Sequence, residues 1–187
     1  MHIVSTELPG VLIVEPDVHH DSRGFFLETY HAEKYRPHGI LGPFVQDNHS
    51  RSIGGTVRGL HLQVRRPFAK LIRVIEGEIF DVAVDVRRGS PTFGRWVGLT
   101  LSADTFRQCY IPIGFAHGFG VTSEVAQVEY KCTGFYDPSC EVGIAWDDPS
   151  LAIRWPVRDP ILSDRDRQLP TLEAVRNSLP LYESTDL

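Results

Sequence analysis

The chain has 187 residues, 42% of them hydrophobic and 23% charged, with a formal net charge of −5. That length suits one domain with a sizeable core. The acidic balance argues against generic nucleic-acid binding, yet leaves room for an anionic small molecule held by a local arginine cluster, for which Arg23, Arg58 and Arg73 are candidates. No apolar run approaches a membrane span, and Met1 to Gly10 lack the pattern of a secretory leader, so no membrane partner is expected. The three cysteines, Cys109, Cys132 and Cys140, lack C-x-x-C spacing and fit reduced thiols in the cytoplasm.

In chain order the pattern is many short strands, punctuated by 16 glycines and 13 prolines. Phe26, Glu28 and Tyr30 alternate near the N-terminus, and Ala32 to Tyr35 can make one helical turn before Pro37. Phe44, Gln46, Asn48 and Ser50 share a strand face, with Val45, Asp47 and His49 on the other. Val57, Gly59, His61 and Gln63 share a face if their strand is regular. Arg58 would then point away, unless a bulge at Gly59 re-aims it. Lys70, Ile72 and Val74 form another face. Phe80, Val82, Val84 and Val86 alternate with Ile79, Asp81, Ala83 and Asp85, and Val128, Tyr130 and Cys132 line a later strand. From about Pro149 a less regular tail containing Trp155 packs on the strands, with a short helix over Thr171 to Ser178. The expected class is all-β: a double-sheet jelly roll with a few short helices, forming one domain over 1–187.

Several residues carry chemistry. Gly55, His61, Gln63, Lys70 and Gly77, followed by Pro112, Gly114 and His117, fall near the positions where a metal-binding cupin barrel places His, His, Glu and His. Here a glutamine and a lysine stand in the ligand set, so no metal is expected. Lys70 supplies a fixed cation where a bound one would sit. His61 reads as a general base or as a hydrogen-bonded core histidine. Lys70, in apolar company, reads as an oxyanion stabiliser or as a surface lysine at a strand start. Tyr130 reads as a proton donor opposite a base, or as a core tyrosine with one hydrogen bond. Arg23 sits in a D-x-R-G turn. Gln46 and Asn48 offer amides that both donate and accept.

These residues together resemble the dTDP-4-dehydrorhamnose 3,5-epimerase family. The likeness is carried by Asp21-Ser22-Arg23-Gly24-Phe25-Phe26, Gln46-Asp47-Asn48-His49-Ser50, Arg58-Gly59-Leu60-His61, Lys70-Leu71, Gly77 to Asp85, Gly89-Ser90-Pro91-Thr92, Ile111 to Phe119, Tyr130-Lys131, Asp147-Asp148-Pro149 and Leu162-Ser163-Asp164-Arg165-Asp166. The resemblance implies a metal-free, cofactor-independent cupin acting on a dTDP-4-keto-6-deoxyhexose in deoxysugar biosynthesis. It implies His61 as base in a dyad with Asp166, Tyr130 as proton donor and Lys70 as enolate stabiliser. It gives Arg23, Glu28, Gln46, Asn48, Arg58 and His117 to substrate binding, and suggests a homodimer with exchanged strands. Leu62 stands where the family commonly has an aromatic residue, and Gly120 where it has a larger apolar one. Both are expected to remove volume near the pocket. An epimerase of C3 or C5 alone, a metal-dependent cupin oxygenase or isomerase, and a non-catalytic sugar-nucleotide binder are the competing readings.

Overall fold

A computed structural model describes residues 1–183. Its strands are β1 (His2–Ser5), β2 (Leu12–Glu15), β3 (Val18–Asp21), β4 (Gly24–Leu27), β5 (Gln46–Ile53), β6 (Val57–Gln63), β7 (Lys70–Glu76), β8 (Glu78–Asp85), β9 (Trp96–Ser102), β10 (Gln108–Ile111), β11 (Phe115–Val121), β12 (Val125–Cys132) and β13 (Glu141–Gly143). Two helical turns, α1 (Ala32–Tyr35) and α2 (Leu172–Val175), fall where the sequence placed them. Thr171 caps α2 by accepting the Ala174 amide.

One sheet has the order β1-β2-β10-β7-β12-β5 and the other β13-β6-β11-β8-β9, with antiparallel pairing throughout. The two sheets face each other across a shared core: Ile72 and Val74 of one meet Ile79, Ala83, Phe115 and Phe119 of the other. This is a cupin-like jelly roll. Each such large apolar side chain, fully buried, contributes roughly 1.5–3 kcal/mol.

A second apolar layer lies on the outer face of the five-stranded sheet. There Leu60, Leu62, Val82, Val84 and Val86 pack under Ile144, Leu151, Leu172 and Leu179 of the tail, with Trp155 beside them. The alternation over β8 therefore marks a strand buried on both faces. Its valines face the tail, while Ile79 and Ala83 turn toward the facing sheet. Gly120 belongs to the outer face as well, since a Cβ there would lie 3.1 Å from Val157 and 3.5 Å from Trp155. Leu62 and Gly120 thus face the tail and do not enlarge the interior pocket, contrary to the expectation from sequence.

The tail is pinned at several points. Thr56 bridges Ile161, Ala145 N–H donates to the Pro170 carbonyl at 2.8 Å, and Leu172 N–H donates to Asp148 Oδ2 at 2.6 Å. Among the described residues the β3–β4 hairpin pairs only with itself, and it leaves Phe25 58% and Phe26 72% exposed. Residues 184–187, the end of the predicted domain, lie outside the described residues. Among the described residues no helix is long and apolar enough to cross a membrane.

Candidate active site

A cavity of about 800 Å³ opens between the sheets. Strand β6 brings His61 to it through an irregularity at Gly59. The β6–β11 register shifts between His117 and Phe119, and Gly59 has φ +109°. A Cβ at Gly59 would lie 2.7 Å from both Gly118 Cα and the His117 carbonyl oxygen, so the crossing admits only glycine. The bulge brings Arg58 to the cavity lining alongside His61, and its Nε donates to Ser52 Oγ at 3.0 Å.

His61 Nε2 lies 2.7 Å from Asp166 Oδ1, with side-chain exposures of 25% and 6%. Burial works against charge on Asp166. The His61 hydrogen bond and charge, with Ser163 and the Gly59 backbone, outweigh it and hold the carboxyl below its usual range. An ionised carboxylate only accepts, so Nε2 carries a proton, and whenever the imidazole is neutral its lone pair is on Nδ1. The contact fixes the orientation of the ring at the cavity wall.

Lys70 and Tyr130 come from adjacent strands of the other sheet. Neither the Lys70 ammonium nor the Tyr130 hydroxyl makes a hydrogen bond or ion pair among the described residues, although both side chains line the cavity. Lys70 is only partly covered by area, but it is packed deeply enough that burial pushes its ammonium below the ordinary lysine value. Burial likewise raises the Tyr130 phenol, which therefore holds its proton at neutral pH.

His117 pairs with Asp81 at 2.7 Å, almost fully buried. Burial lowers its basicity, Asp81 opposes that, and the nearby Lys70 lowers it further. Gln46 donates to Asn48 Oδ1 at 3.0 Å and accepts the Tyr136 amide at 2.9 Å, so both amides are held at the cavity wall.

Eight of the predicted residues thus converge: His61, Lys70, Tyr130, Asp166, Gln46, Asn48, Arg58 and His117. Arg23 and Glu28 do not. Arg23 pairs with Asp21 in the exposed hairpin turn, and Glu28 pairs with Lys34. Arg73 also lies elsewhere, paired with Glu129, so the arginines lining the cavity are Arg51, Arg58 and Arg165. Gln63, in a former ligand position, spends its amide on backbone: Nε2 donates to the Arg66 carbonyl at 2.9 Å and Oε1 accepts Asp137 N–H at 2.5 Å. Among the described residues no group of three or more His, Cys, Asp or Glu is arranged to hold a metal.

Sequence reading missed Phe68, Tyr136 and Glu141 in the lining. Glu141 bonds the Arg165 guanidinium and accepts the Tyr136 hydroxyl at 3.1 Å. Tyr136 stands in the irregular connection after β12, and Glu141 opens β13, whose three residues are too few for periodicity to mark a face.

Comparison with known proteins fits this geometry. Residues 5–174 match the family profile described as dTDP-4-dehydrorhamnose 3,5-epimerase. The chain belongs to this family. It is 52% identical over 169 residues to the dTDP-4-dehydrorhamnose 3,5-epimerase of Shigella flexneri, covering 89% of this chain and 93% of that one. The crystal structure of dTDP-6-deoxy-D-glucose-3,5-epimerase from Legionella pneumophila, in complex with dTDP-4-keto-L-rhamnose, superposes with TM-score 0.95 at 47% identity, covering 98% and 99% of the two chains. A 3'-monoepimerase from Streptomyces bikiniensis, in complex with dTDP-quinovose, gives TM-score 0.89 at 37% identity, covering 97% and 93%. The enzyme is an isomerase of the racemase and epimerase class.

Proposed function

We propose that the enzyme inverts both C3 and C5 of a dTDP-4-keto-6-deoxyhexose in deoxysugar biosynthesis, with side chains alone moving the protons. The carrying observation is one cavity lined by a His61–Asp166 pair together with a lysine and a phenol that have no hydrogen-bond or ion-pair partner among the described residues. Hydrogens on carbons beside a ketone are acidic because the carbanion delocalises onto the carbonyl oxygen. His61 Nδ1 removes one, and the carbon's electron pair moves toward the C4 oxygen. Lys70 neutralises the resulting enolate. Tyr130 returns a proton from the opposite face and inverts the carbon. Asp166 stabilises the charge that develops on His61.

Arg58, His117, Gln46 and Asn48 hold the nucleotide diphosphate and sugar. Arg23 and Glu28 act in the cavity of a second copy, carried there by the β3–β4 hairpin of a strand-exchanged homodimer. The self-paired hairpin, its exposed Phe25 and Phe26, and the absence of both residues from their own cavity support this. One domain over 1–187 and a cytoplasmic location complete the reading. Identity to 3,5-epimerases above that to the 3'-monoepimerase favours inversion at both carbons.

The test is incubation with dTDP-4-keto-6-deoxyglucose in D₂O with a chelator present, followed by NMR. Deuterium at both C3 and C5 is expected. Deuterium at one carbon would make this a mono-epimerase, and none at either would exclude the substrate.

A further inference from the structure

Phe68 has no role in the chemistry above, yet its ring lines the cavity with its centroid 5.9 Å from Lys70 Nζ. It stands on the connection between β6 and β7, and that connection is fixed from both sides. Gln63 ties the Arg66 carbonyl and the Asp137 amide together. Ala69 N–H donates to Thr133 Oγ1 at 2.9 Å, and Thr133 N–H returns a bond to the Ala69 carbonyl at 3.0 Å. Gly134 leaves room for the ring, since a Cβ there would lie 3.0 Å from Phe68 Cβ. The glutamine bonds and the Ala69–Thr133 pair together hold the connection so that the Phe68 ring forms an apolar wall next to the lysine.

We infer that Phe68 is a specificity-determining residue that selects the 6-deoxy sugar by packing against the methyl group on C5. The inference rests on the proposed function. With Lys70 at the C4 oxygen, a ring this close reaches a substituent of the neighbouring carbon. C3 carries a hydroxyl, which an apolar ring leaves unsatisfied, whereas C5 carries a methyl, which it covers. A 6-hydroxy substrate would place its extra hydroxyl against the same ring without a partner. Discrimination of about 10- to 100-fold is the scale for one small group in an apolar pocket.

The experiment compares wild type, Phe68→Ala and Phe68→Gln on dTDP-4-keto-6-deoxyglucose and on its 6-hydroxy counterpart, dTDP-4-ketoglucose. The readouts are kcat/KM from deuterium wash-in, dTDP affinity and the pH profile. Wild type should prefer the deoxy sugar. Phe68→Gln should bring the ratio toward unity with dTDP affinity retained. An unchanged ratio in both variants, with dTDP still bound, overturns the inference. A moved pH profile at constant ratio does so too, since Phe68 would then act only through Lys70. No exchange by wild type on either sugar sinks the functional reading, and this inference with it.

Discussion

Replacing Asp166 by asparagine keeps the shape of the side chain and removes its charge. In the structure the carboxylate accepts from His61 Nε2 at 2.7 Å and is held ionised there. A hydrogen bond to a charged group contributes about 1.5–3 kcal/mol. If that is lost from the transition state, where His61 becomes positive, kcat falls about 10- to 150-fold. The amide has a second effect when it turns its NH₂ to Nε2, because the proton then moves to Nδ1 and the base is blocked. Stability should change with a definite sign. The Asp166 carboxyl is depressed in the folded state, so its contribution is present above the ordinary aspartate range and is lost as pH falls through the folded-state value. Asp166→Asn should therefore flatten the acid side of the Tm–pH curve. The assay is kcat and KM from deuterium wash-in, with thermal melts across pH. Unchanged kcat in a folded variant would refute the dyad.

Lys70→Met should lose about 10²- to 10³-fold in kcat, the scale for removing one oxyanion donor. The same change should raise Tm, since burial works against the lysine charge, and that penalty fades as pH rises through its lowered value. A Tm that falls would contradict the burial argument. Gly120→Val should cost about 1–3 kcal/mol by overpacking against Val157 and Trp155, with kcat/KM unchanged. A selective loss of activity would return Gly120 to the pocket. Mixing inactive Arg23→Ala and His61→Ala proteins under subunit exchange should restore activity, because one hybrid site then has both residues. No recovery would count against strand exchange.

Much of the site was legible because β-strands alternate. Gln46, Asn48 and Ser50 on β5, and Tyr130 beside Cys132 on β12, could be assigned to faces from spacing alone, and each face meets the cavity or its wall. Arg58 was legible only conditionally: a regular strand turns it away, and the Gly59 bulge decides otherwise. Alternation did not reveal which face of β8 looks inward, because the tail buries the other one. The expectation that Leu62 and Gly120 border the pocket came from the family pattern, and the tail packed over both decides otherwise. Asp81 carries no sequence sign of its partnership with His117, since the two meet only through strand pairing of β8 with β11. Arg23 and Glu28 illustrate a different limit: within one chain they have local partners and lie away from the cavity, and only the proposed second copy gives them a place in binding.

The most direct test of the mechanism compares His61→Ala with Tyr130→Phe in D₂O, following deuterium entry and product configuration separately while monitoring dTDP binding. His61→Ala should bind dTDP but exchange no protons, whereas Tyr130→Phe should still exchange but not complete inversion. Normal epimerisation by Tyr130→Phe, or proton exchange surviving in His61→Ala, would contradict the mechanism.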